Sequence, residues 1–210
     1  MEFINTDEAV EINNLEQMSL KQYQEYIKNQ LQILYPQDEI ETEWNAMKGA
    51  REFNIYSPRI DVAVGPFSFY QRYESRYDDM VREFKSKEFI EQLIQFNHDN
   101  LTHHGYFVEP NTYEEVIHQN RNARCFMAIE IENKVSRKHL MGGAINASAL
   151  ARIGIVIPWT DDKLNAFIRL VRYLNYLKLA DKNTFNTTNL LIVTKEQFLD
   201  GLERSLNNID

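Results

Sequence analysis

Cysteine is nearly missing from this chain of 210 residues: Cys125 stands alone, so no intrachain disulfide can form and a reducing compartment is the simpler home. Seven glycines and five prolines are too few for a fibrous or low-complexity chain, and no internal repeat is visible. No apolar run approaches the roughly 18 residues that span a bilayer. The start, MEFINTDEAVEINN, lacks the basic and apolar regions of a signal peptide. The expectation is a cytoplasmic protein with no membrane partner. An overall excess of positive charge is also missing, since the formal net charge is -8, which argues against indiscriminate attraction to nucleic acid.

What is present is an ordinary globular composition, 43% hydrophobic and 26% charged, in a length that suits one domain. The charge is unevenly spread. Residues 1–50 carry -7, residues 51–122 carry -4 and residues 123–210 carry +3, and within 133–182 nine basic side chains face three acidic ones. An acidic chain of this kind can still present a basic surface.

Periodicity gives the order of elements. SLKQYQEYIKNQLQILYP spaces Leu20, Tyr23, Ile27, Leu31 and Leu34 as one helical face, and Pro36 ends it. EIETEW and RIDVAVGPF read as strands that pair as a hairpin. From about 69 to 122 the pattern is helical, with Tyr73, Tyr77, Val81 and Phe84 on one stripe and then Phe89, Leu93 and Phe96, so this block reads as an insertion. CFMAIEIENK is the next strand. SRKHLMGGAINASAL follows as a helix with Ser136 as N-cap, its small residues allowing close backbone approach. ARIGIVIPW and LLIVT are buried strands on either side of a helix from about Asp161 to Leu179, and Thr194-x-x-Gln197 is a capping box that opens the last helix. The predicted class is α/β: a central mixed β-sheet flanked by helices, with a helical insertion.

One strand is unusual. In AIEIENK, residues 128–134, Glu130, Glu132 and Lys134 alternate with Ile129 and Ile131, so two acids and an amine project from one face. A half-exposed strand shows the same alternation. Two like charges so close repel, however, and a cation is the usual remedy, whether Lys134 or a metal. Asp61, on an earlier strand that the element order sets beside this one, brings a further carboxylate. Such an oxygen-rich group suits a hard cation such as Mg²⁺, which takes one or two carboxylates and completes its shell with water and phosphate.

Asp61 with Glu132-Asn133-Lys134 resembles the metal site of the PD-(D/E)xK nuclease superfamily, in which an Asp on one core strand faces a Glu-x-Lys at the end of the next. The family's proline directly precedes its Asp; here the run is Ser57-Pro58-Arg59-Ile60-Asp61, with Pro58 three residues ahead. The resemblance spans the elements from about Leu20 to Thr194 and implies a restriction-endonuclease-like core. With 71 residues between Asp61 and Glu132, it requires the helical block to be inserted between neighbouring strands.

The implied activity is Mg²⁺-dependent hydrolysis of DNA by an endonuclease of the restriction, repair or junction-resolving sort, with Mn²⁺ able to substitute. Asp61 and Glu132 would be metal ligands, the Asn133 carbonyl a third, and Lys134 would orient or deprotonate the attacking water. Glu130 would support a second metal or hold Lys134, and Glu25 on the first helix could reach the site from outside the sheet. A restriction role would also imply a homodimer.

For the DNA, Arg137, Lys138 and His139 crowd the turn after the motif, and Arg169, Arg172 and Tyr176 share one side of the later helix. PFSFYQRYESRYDD interleaves aromatics with Arg72 and Arg76, but core packing explains it more simply. His98, His103 and His104 lack the ligand spacing of a zinc site. The competing functional readings are a non-catalytic nucleic-acid or protein binding module on the same sheet, and an assembly protein that oligomerises through the helical insert.

Overall fold

The computed structural model describes residues 15, 17–47, 56–107, 109–133, 137–182 and 185–207. Strands β1 (Ile40–Asn45), β2 (Arg59–Val64), β3 (Cys125–Glu132), β4 (Ala151–Pro158) and β5 (Leu190–Ile192) form one sheet in the order β1-β2-β3-β4-β5. The β1–β2 and β2–β3 pairs are antiparallel, and β3–β4 and β4–β5 are parallel. The fold is α/β, a mixed five-stranded sheet flanked, among the described residues, by seven helices.

The helices divide between two faces. On one lie α1 (Leu20–Leu34), α2 (Glu74–Arg82), α3 (Phe84–His103), α4 (Tyr113–His118) and α7 (Lys195–Asn207), whose side chains share a core with Val62, Val64, Ile129, Ile131 and Ile155. On the other lie α5 (Arg137–Leu150) and α6 (Asp161–Leu179), packed with Ala63, Ala128 and Val156. Ser19 and Gln22 form a capping box at the start of α1, and Tyr23, Ile27, Leu31 and Leu34 are its buried stripe. All eight residues of β4 are buried, as its continuous apolar run requires of a strand covered on both faces.

The small residues of α5 have a specific use. A Cβ built on Gly154 of β4 would lie 2.8 Å from backbone atoms of Ala147 and Ser148, so this helix lies against the sheet too closely for any side chain at that position.

Helices α2, α3 and α4 leave the chain between β2 and β3, which are hydrogen-bonded neighbours, so the long sequence interval between Asp61 and Glu132 is spanned outside the sheet. One detail differs from the sequence reading. Phe84 is 57% exposed rather than buried with Tyr77 and Val81, because α2 ends at Arg82 and the chain turns at Glu83, which resets the helical phase.

No helix among the described residues is long and apolar enough to cross a membrane.

Candidate functional site

The β2–β3 ladder runs from Val64–Met127 to Val62–Ile129. Carried one residue further, its register sets Asp61 opposite Glu130. The β1–β2 register, Thr42 to Val62 and Trp44 to Ile60, likewise sets Glu43 opposite Asp61. Three acids therefore form a row across three strands, and Glu132 follows at the end of β3.

The row lies where the regular sheet fails. Glu43 has φ 52°, a left-handed conformation that costs a non-glycine residue about 1–2 kcal/mol. Around it the alternation breaks: Ile40 and Val64 belong to the core on the α1 side, but Trp44 and Ile60 belong to the α5 side. The next ladder donor of β3, the Ile131 N–H, is then taken by a side chain, donating to Asp61 Oδ2 at 2.6 Å. That bond fixes the aspartate against the backbone between the two glutamates.

The other oxygen of Asp61 is held from the opposite layer. Gln24 on α1, only 4% exposed, donates from Nε2 to Oδ1 at 3.0 Å. The sequence pointed to Glu25 as the residue of this helix that could reach the site; its carboxylate instead accepts from Thr42 Oγ1 at 3.2 Å. A polar Gln24 beside the apolar stripe position Tyr23 was the signal for a buried polar role, but helical periodicity could not name its partner.

Glu130 faces the other layer. A Cβ on Gly143 of α5 would be 3.8 Å from Glu130 Cβ and Cγ, so glycine there leaves room beside the carboxylate stem. Burial, and then the charges of Asp61, Glu132 and Glu43, push the Glu130 carboxyl up to about 9. Burial also lifts Asp61, to about 6, with Glu43 and Glu132 adding to the rise; the bonds from Ile131 and Gln24 act the other way. Both acids thus hold protons more tightly than a solvated carboxyl because low-dielectric surroundings and like charges disfavour the anion.

Among the described residues, no group of three or more His, Cys, Asp or Glu side chains is gathered closely enough to hold a metal ion. Any donor set here is therefore at most two carboxylates at a time, with no nitrogen or sulfur, a set that would leave most of a hard cation's shell to water.

Lys134 lies outside the described residues, as does Ser136. Of Arg137 and Lys138 only the backbone is described, at the start of α5. Arg169 is exposed on α6. Arg172 is engaged elsewhere: Nη2 donates to the His104 carbonyl at 2.7 Å and the guanidinium lies 5.2 Å from the Tyr106 ring centre, which clamps α6 to the end of α3. It sits eleven residues into a helix that starts just after Pro158, the β4 partner of Glu132, which is about 16 Å along the axis.

Arg76 pairs with Asp38 at 2.5 Å and with Glu83 at 3.3 Å, while Arg72 pairs with Glu74 at 2.7 Å. His98 lines a cavity of about 90 Å³ with Asn97 and Asn175, and His103 Nδ1 lies 2.8 Å from the Asp99 carbonyl oxygen. Comparison with family models, with curated proteins and with solved structures yields no match, so the functional reading rests on the residues themselves.

Proposed function

We propose that the protein is a divalent-metal-dependent DNA endonuclease whose centre is built on Asp61, Glu130, Glu132 and Lys134, as in the PD-(D/E)xK nucleases that the motif resembles. The observation that carries this reading is the bond from Ile131 N–H to Asp61 Oδ2, which brings the aspartate of one strand against the Glu-x-Glu of its neighbour across a long insertion. The order of helix, hairpin, strand, helix and strand supports it as well.

In this reading Asp61 and Glu132 hold the cation, with Glu130 beside them and the Asn133 carbonyl in reach of the same end of β3. A bound Mg²⁺ or Mn²⁺ supplies polarisation of the phosphodiester and a more acidic water. The chain's own groups do the rest. Gln24 and the Ile131 amide fix the plane of the Asp61 carboxylate before anything binds, so little reorganisation is left for the reaction. Glu130, protonated at neutral pH in the metal-free protein, gives up its proton when positive charge arrives. Lys134 is assigned the attacking water and the charge that develops on phosphorus.

The test is nicking of supercoiled plasmid with and without Mg²⁺. Asp61→Asn, Glu132→Gln and Lys134→Met should each lose about 100-fold or more while retaining the fold. Full activity in any two of them rejects the assignment.

A second reading has one observation in its favour: the described side chains do not gather three metal donors. A non-catalytic DNA- or protein-binding module would keep this sheet and take up no cation. Calorimetric titration with Mn²⁺ separates the two, because only the nuclease reading requires uptake that disappears in Asp61→Asn.

A further inference from the structure

Resting on the nuclease reading, we infer that Lys195 is a phosphate ligand for the nucleic-acid substrate, beside the Asp61–Glu132 centre and at the same end of the sheet. Lys195 follows β5, whose carboxyl end lies with those of the parallel strands β3 and β4. Two chains of contacts link this residue to the backbone of Glu132 and, through α1, to Asp61. Its ammonium lies 4.9 Å from the centre of the Trp159 ring, and the backbone N–H of Trp159 donates to the backbone carbonyl of Glu132 at 3.0 Å. Its own carbonyl accepts from Tyr23 Oη at 3.0 Å, and the residue after Tyr23 is Gln24, which holds Asp61. Tyr23 also stands edge-on to Trp159, with ring centres 5.6 Å apart, so the platform under the lysine is rigid.

A purely structural lysine would be poorly chosen here. Lys195 is the first residue of α7, where the helix dipole disfavours a cation. Its side chain is only 13% exposed, and among the described residues its ammonium makes no hydrogen bond; Glu196, at 3.6 Å, and the indole face are its charge partners. The helix end itself does not offer an anion site, because Thr194 and Gln197 already satisfy each other's backbone N–H groups. What remains is a positive charge kept against local preference, largely desolvated, held on an aromatic face at the carboxyl end of the parallel strands. Local rules broken in this way mark functional positions. A point charge so held suits a non-bridging oxygen of a flanking phosphate.

The experiment measures binding of the full chain to a fluorescein-labelled duplex oligonucleotide, without divalent metal, over a salt series. Lys195→Met keeps the aliphatic stem on Trp159 and removes the charge. It should flatten the slope of log K against log salt by about 0.9, the value for one phosphate contact. Affinity should fall several-fold, with Tm unchanged and the slope restored in Lys195→Arg. An unchanged slope overturns the inference, as does a loss of affinity that tracks a loss of Tm and is not rescued by arginine. If the wild-type chain cleaves plasmid and Lys195→Met binds DNA like wild type, this inference fails while the nuclease reading stands. If the slope depends on Lys195 but no cleavage occurs with Mg²⁺, the nuclease reading fails and Lys195 remains a phosphate ligand of a binding module.

Discussion

The two ends of the sheet treat buried charge in opposite ways. At the start of β4, Arg152 is fully buried, yet it is met by Asp78 of α2 at 2.5 Å and by the Arg121 carbonyl at 3.4 Å, with His118 of α4 beside it. Burial pulls its guanidinium below the ordinary value, and the bond to Asp78 offsets part of that pull. At the other end Glu130 is surrounded by burial and three further acids, all of which raise its pKa. The first arrangement ties the helical insert to the sheet. The second gathers like charges in a buried place, and a proton on Glu130 or Asp61 lessens their repulsion.

The largest effect that would break this contrast is at the scaffold end. Arg152→Met should destabilise by about 3 kcal/mol, lowering Tm by about 6–12 °C in scanning calorimetry, because it removes one partner of a buried pair. A loss under about 1 kcal/mol would show that the pair is not what anchors the insert.

At the acid end the sign reverses. Glu130 keeps its proton in the folded state up to about 9, whereas the unfolded group releases it near 4.5. Its contribution to stability is therefore full below that lower value and is lost as pH rises through the window toward about 9. Asp61 adds the same trend between about 3.8 and about 6. Glu130→Gln should raise stability at pH ~8 by about 2 kcal/mol, or Tm by about 4–8 °C, with the gain shrinking as pH falls toward 5. A variant less stable than wild type at high pH would contradict the assigned cause.

A cation should act where the mutation does. Mn²⁺ at about ten times its dissociation constant should add about 1.4 kcal/mol at pH ~8, with a smaller rise in Tm at pH ~5.5, where protons compete, and no rise in Asp61→Asn. The smallest expected effect is at Gln24. Gln24→Leu removes a donor from Asp61 and should cost about 1 kcal/mol of stability in urea unfolding, with a further rise of the Asp61 pKa visible by NMR titration.

Much of the architecture was legible because local chemistry writes it. The capping box at Thr194, the apolar face of α1, the continuous run of β4 and the small residues of α5 each follow from side-chain size, period or hydrogen-bonding capacity. Phe84 was misplaced because a single turn at Glu83 resets a helical phase, which periodicity cannot detect. Gln24 was passed over in favour of Glu25 because the partner that makes one of them buried lies 37 residues away. Arg172 presents the same difficulty: its partner is a backbone carbonyl at the end of another helix.

By itself the sequence determined the elements, their order and the placement of Glu130 and Glu132 on one strand, since these depend on neighbours within a few residues. Only the tertiary structure decided that Asp61 meets the backbone between Glu130 and Glu132, that Gln24 holds it, and that the sheet breaks its alternation at Glu43 to make the meeting point. Those outcomes depend on strand register and on burial, and neither exists until distant segments have paired and water has left the space between them.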